Sequence, residues 1–169
     1  MQRNATTMTQ RLDYERQSPG AMKSLGGVYH YVATSGLAGE LIDLVYLRVS
    51  LINGCAYCID SHTKDLQKKN VAPQKISLVP VWHEAGTIFS SREKAALRWA
   101  ETLTRVLETH APDDDYQAVA AEFTEKELVD LTVAIGLMNI FNRIAIGFKR
   151  GPQIQSQQPQ TSAPLTEVA

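Results

Sequence analysis

The chain has 169 residues, 44% of them apolar and 21% charged, with a formal net charge of −1. That length suits one domain with a core of its own, and the near-neutral balance excludes the basic footprint of a nucleic-acid binder. The polar opening MQRNATTMTQRLDYERQSPG lacks an apolar signal region, and no unbroken apolar run has the roughly 18 residues that cross a bilayer. The expected setting is therefore the cytoplasm, with neither nucleic acid nor membrane as partner.

The pattern is helical throughout, so the expected class is all-α, with one domain over 12–150, a loose N-terminus over 1–11 and a Gln/Pro/Ser-rich tail over 151–169. Residues 20–35 predict a first helix loosened by Gly26-Gly27. The stretch after Gly39, ELIDLVYLRVSLIN, is apolar on too wide an arc for a surface helix and predicts a buried one. Asn53-Gly54 reads as its C-cap. A third helix is expected from about Cys55 to Lys69, ended by Asn70. Pro73 and Pro80 bracket a short turn. Ser90 and Glu93 have capping-box spacing and open a long helix running on to His110. Pro112 with three aspartates starts a short helix. Thr124 and Glu127 form a second capping box before a long helix, apolar on most faces, through Phe148. That last helix belongs in the core or a subunit interface.

Both cysteines lie in INGCAYCIDSH, at Cys55 and Cys58, with His62 four residues on. Positions i, i+3 and i+7 share one helix face. The turn at Asn53-Gly54 places Cys55 in the first helical turn, where free N–H groups and the helix dipole favour a thiolate. His62 is one turn from Cys58, the layout of an activated nucleophile and its base. If the preceding helix folds back antiparallel, Asp43 and His62 stand at levels about 3 Å apart. Asp43, Tyr46 and Ser50 then make a polar stripe able to face the cysteines, and a carboxylate there would orient His62.

Other readings compete. Structural zinc wants four ligands, and Cys55, Cys58 and His62 supply three. Cysteine is also an ordinary core residue, although Asn53, Asp60, Ser61 and His62 make these surroundings polar. A thioredoxin-type site needs a βαβ context that this chain does not show. A permanent structural disulfide is not expected in a reducing compartment, and so short a loop would add little stability.

The stretch LVYLRVSLINGCAYCIDSHTKDL (44–66), with Arg48, Ser50, Ile52, Asn53 and Gly54 ahead of CxxCxxxH, resembles the core signature of the AhpD-like branch of the carboxymuconolactone decarboxylase family. FSSREKAALRWAETLT (89–104) and IFNRIAI (140–146) resemble two further family segments. The resemblance implies an all-helical trimer or hexamer with no bound cofactor and with thiol peroxidase activity. Cys58 would attack a hydroperoxide and Cys55 would resolve the sulfenic acid to a disulfide. An external dithiol, such as a lipoyl-bearing protein, would reduce that disulfide. His62 would pass the proton, helped by the family's acidic position, which is Asp43 here in place of the usual Glu. Asp is one methylene shorter, so a water would bridge any gap to His62. Glu40, one turn away, is a substitute carboxylate. Tyr57 stands where the fully equipped peroxidase has a His. The helix dipole alone would pick Cys55 as nucleophile, whereas the neighbouring base picks Cys58. The base decides, because a dipole is worth only about 0.3–1 kcal/mol.

Further residues stand out. His83, beside Trp82, reads as a surface or interface histidine. Arg48 and Arg143, inside apolar helices, call for partners, expected as buried ion pairs between subunits. Trp82 and Trp99 read as core or interface anchors. The pairs Lys68-Lys69 and Lys149-Arg150 read as solvated surface. The alternatives to a peroxidase are a lyase of the decarboxylase type, which does not depend on CxxC, and an oligomeric redox sensor whose thiols only switch state.

Overall fold

The computed structural model describes residues 10–152; of the ends expected to be loose, 1–11 and 151–169, all but 10–11 and 151–152 lie outside the described residues. Nine α-helices follow in chain order among the described residues: α1 (Tyr14–Gln17), α2 (Pro19–Ala33), α3 (Gly39–Asn53), α4 (Ala56–Lys68), α5 (Pro73–Leu78), α6 (Ser91–Thr104), α7 (Val106–Thr109), α8 (Asp113–Ala120) and α9 (Glu125–Gly147). A 3₁₀ turn, Val79–Glu84, follows α5, with Pro80 in its first turn. No strand occurs among these residues, and the all-α expectation holds.

The middle of α3 is buried from Leu41 through Ser50, as its broad apolar arc demands. It is the axis of the fold, packed by α4, α6 and α9. On one side Val45, Val49, Trp99, Leu131 and Ile135 share a core. On the other, Leu44, Leu47, Leu66, Trp82 and Leu97 share a second, so both tryptophans are core anchors. Gly26-Gly27 do not interrupt α2. Both capping boxes close, Ser90 with Glu93 and Thr124 with Glu127. By length and composition α9 could cross a membrane. Here its inner face packs against α2, α3, α4 and α6.

The long helix expected over 92–110 breaks at Arg105. Side-chain hydroxyls compete with the helix there: Thr102 Oγ1 donates to Arg98 O at 3.0 Å and Thr109 Oγ1 to Thr102 O at 2.8 Å. Val106 and Leu107 leave the apolar face as a result, and Leu107 is 88% exposed. Arg48 finds its partner inside the chain rather than across a subunit boundary. Its Nε donates to Glu101 at 2.8 Å and its Nη1 to the Pro80 carbonyl at 3.1 Å. Arg143 is exposed, and donates to Asn139 O and Oδ1.

Candidate active site

The reversal between α3 and α4 builds the cysteine site. Gly54 takes the left-handed conformation (φ 70°) that ends α3, a geometry in which a Cβ would be strained. The Cys55 N–H then reaches back to Ser50 O at 3.0 Å. Cys55 becomes the N-cap of α4, one position earlier than the expected first turn, and its Sγ accepts from the Cys58 N–H at 3.3 Å. The two sulfurs are joined in a disulfide, with Cα atoms 5.3 Å apart. The pair stands here in the oxidised form that the family resemblance implies for a resolving and an attacking cysteine.

A polar network fixes this turn to α9. Asn53 Nδ2 donates to Asn139 at 3.0 Å and to Asn142 at 2.9 Å, and Asn142 donates to Ser50 Oγ at 3.1 Å. Ser50 thus serves the α9 contact. Ala145, one turn beyond Asn142, packs on Cys55 and Cys58.

His62 is buried, and its Nδ1 lies 3.7 Å from Asp43 Oδ1. The other Asp43 oxygen takes the ammonium of Lys69, which also donates to Gly39 O at 2.9 Å. Burial would push the Asp43 carboxyl up, but His62 and Lys69 beside it hold it below its ordinary value. Tyr46 closes the group, its ring centroid 5.1 Å from that of His62. Burial, then the fields of Tyr29 and Asp43, push its hydroxyl far above the usual tyrosine range. Among the described residues, Tyr46 Oη and His62 Nδ1 are buried without a hydrogen-bond partner.

Glu40 is no substitute carboxylate. It faces Lys75 at 3.3 Å and is 45% exposed. His83 stacks on Trp82 and faces Glu101 at 3.4 Å, away from the cysteines. Asp43, His62 and Asp65 present donor atoms within 4.8 Å of one another, a grouping that could accept a metal ion. Lys69 and Lys68 already sit on the two carboxylates, which opposes a second cation there.

Cys58 and His62 open onto a cavity of about 400 Å³. Its walls are apolar and aromatic, from Met22, Tyr29, Tyr57, Met138 and Phe141, and Tyr14, Glu15, Asp65 and Arg150 bring its polar groups. Cys55 does not line it. A larger hollow of about 590 Å³, between α3, α7 and α9, contains neither cysteine nor histidine.

Two contributors escaped the sequence reading. Lys69 continues the α4 stripe of Cys55, Cys58, His62 and Asp65 at helical spacing, so a signal was present but was read as surface. Arg150, also read as surface, meets Tyr14 across 136 residues, and no local pattern marks such a pair.

A sequence profile of the carboxymuconolactone decarboxylase family matches residues 19–102, a span that holds Asp43, Cys55, Cys58, His62 and Lys69. The uncharacterized protein YdfG of Bacillus subtilis is 36% identical over 139 residues, 82% of this chain and 94% of that protein. The chain belongs to the carboxymuconolactone decarboxylase family. Its likeness reaches the AhpD-like side of that family. A crystal structure from Agrobacterium tumefaciens, of unknown function and with a suggested AhpD-type antioxidant role, superposes with a TM-score of 0.84 at 39% identity, over 87% of this chain and all of that one. The alkyl hydroperoxide reductase AhpD of Caulobacter vibrioides is 44% identical over 45 residues, 27% of this chain and 25% of that protein.

Proposed function

We propose that the protein is a thiol-dependent hydroperoxide reductase of the AhpD type. One observation carries this: of two joined cysteines, the one beside a buried histidine lines a cavity able to take an organic molecule. In the reduced protein, the Cys58 thiolate attacks the distal peroxide oxygen. The O–O bond breaks, the alkoxide leaves as alcohol with a proton from His62, and Cys58 becomes a sulfenic acid. The Cys55 thiol displaces water and the disulfide re-forms. An external dithiol, such as a dihydrolipoyl group, reduces it and is itself oxidised. The Cys58 N–H directed at Cys55 Sγ stabilises Cys55 as thiolate when the pair is reduced, which suits the resolving and leaving-group role. Asp43 orients His62. The setting is the cytoplasm and the working unit a homo-oligomer.

The test combines turnover with trapping. Hydroperoxide is consumed with dihydrolipoamide as reductant, and Cys58→Ser and His62→Ala each lose that turnover. A sulfenic acid probe labels Cys58 in Cys55→Ser protein. Turnover that survives Cys58→Ser, or label only on Cys55 in the Cys58→Ser protein, overturns the assignment. Peroxide-insensitive thiols would leave the decarboxylase-type lyase and the redox sensor as the readings to pursue.

A further inference from the structure

The chain ends of the domain meet over Cys58. Lys149 takes the left-handed conformation (φ 55°), which turns the chain so that the Arg150 N–H reaches Ala145 O at 2.9 Å. Ala145 is the residue packed on the cysteines, so Arg150 is fixed beside them. Its guanidinium lies over the Tyr57 ring at 4.3 Å, directly preceding Cys58. The same group donates to Tyr14 Oη and Glu15 Oε1, both at 2.6 Å. The N-terminal segment is held down independently. The Arg11 N–H donates to Phe148 O at 2.9 Å, Arg11 Nη1 to Gly147 O at 3.1 Å, and the Tyr14 ring packs on Phe148. Residues 11–15 thus form a strap along the cavity that Cys58 shares.

The charges on that cavity are paired. Glu15 neutralises Arg150, and Lys68 sits on Asp65, so neither carboxylate at the cavity lacks a cation. Beneath them the walls are methionine and aromatic rings. A neutral apolar molecule finds burial without loss, whereas an anion gives up its hydration and meets no unpaired guanidinium or ammonium in the lining.

We propose that the Glu15–Arg150 pair is a charge gate on the Cys58 cavity, admitting uncharged, apolar hydroperoxides and turning away anionic ones. The substrate side of this rests on Cys58 being the peroxide-reactive thiol, but the gate can be measured without it. In Cys55→Ser protein Cys58 is the sole thiol, and its alkylation is followed with neutral iodoacetamide and anionic iodoacetate. Glu15→Gln leaves Arg150 in place with its charge unopposed. It is expected to raise the iodoacetate-to-iodoacetamide rate ratio about fivefold, an effect that fades in high salt. Arg150→Gln is expected to lower the ratio. A Glu15→Gln ratio within about twofold of the parent overturns the gate, whatever the peroxidase assay shows. With both cysteines present, cumene hydroperoxide is expected to be consumed faster than its ring-carboxylated analogue, and Glu15→Gln to narrow that gap. Equal consumption of the two peroxides by the unaltered protein also overturns it. Loss of all turnover with the alkylation ratio still responsive would reject the peroxidase reading and leave the gate standing.

Discussion

Asp43 gives one carboxylate oxygen to Lys69 and holds the other 3.7 Å from His62 Nδ1. That gap is too long for a hydrogen bond. The shorter acid is therefore placed for its task but does not touch the base directly. His62→Ala is expected to lower peroxide consumption about 10²–10⁴-fold, the usual worth of a positioned acid–base group. Asp43→Asn keeps the shape and removes the charge, so its loss should be smaller. Asp43→Glu should retain turnover. Steady-state assays of the three variants check the order, and a more severe loss for Asp43→Asn than for His62→Ala contradicts it.

The stability of the site should carry its own pH signature. The Asp43 carboxyl titrates lower in the folded chain than in the unfolded one. Below the ordinary value near 3.9 the unfolded chain therefore binds more protons, and stability rises with pH through that window. The contribution is fully present above it and is lost as pH falls through the folded value. Urea unfolding from about pH 2 to 7 is expected to show a shallower acid limb for Asp43→Asn than for the parent. Parallel curves would show that Asp43 does not carry this linkage.

Lys69 sets its ammonium on one oxygen of Asp43. Removing it leaves a buried carboxylate with only His62 nearby. Lys69→Met is expected to cost about 1–3 kcal/mol at neutral pH, read from urea midpoints. The double variant Lys69→Met, Asp43→Asn should recover part of that cost, because no unpaired charge remains. Additive losses would mean that the two side chains do not act on each other.

Much of this arrangement was legible in the sequence because it is helical and local. The width of the α3 apolar arc announced its burial, and Gly54 announced the turn. The spacing of Cys55, Cys58 and His62 put them on one face, and Asp43 followed from counting residues either side of that turn. What the sequence hid is either tertiary or a matter of competition. The bond that Ser50 accepts from Asn142 was not legible, because which side of a buried helix meets which neighbour is set by packing. Arg48 was assigned to another subunit but meets Glu101, 53 residues away. The break at Arg105 came from hydroxyls that outbid the backbone at Thr102 and Thr109, which an apolar periodicity does not register.

The Arg48–Glu101 pair should matter more than a surface ion pair. Both side chains are mostly buried, at 10% and 15% exposure. Glu101 also accepts from Trp82 Nε1 at 2.5 Å, so it ties α3, the 3₁₀ turn and α6 together. Arg48→Met strands a buried carboxylate and is expected to cost about 3 kcal/mol. Arg48→Lys should not restore it fully, since one ammonium cannot serve Glu101 and the Pro80 carbonyl in the guanidinium's geometry. Thermal unfolding of the two variants checks this, and full rescue by lysine would show that charge alone suffices.

The outer face of α9 bears on assembly. Val129 and Ile140 are 61% and 44% exposed on it, and Leu107 of α7 is 88% exposed. Arg143, on the same helix, has no carboxylate partner among the described residues. A trimer or hexamer, as the family resemblance implies, would bury such a surface and could supply Arg143 with an acid. Light scattering is expected to give a multiple of the 18.7 kDa chain mass. Leu107→Glu and Ile140→Glu should lower that mass if this face is the contact, because each places an unpaired charge in it. An unchanged multimer in both variants would put the interface elsewhere. A monomer in the unaltered protein would mean that the exposed row serves no contact between copies.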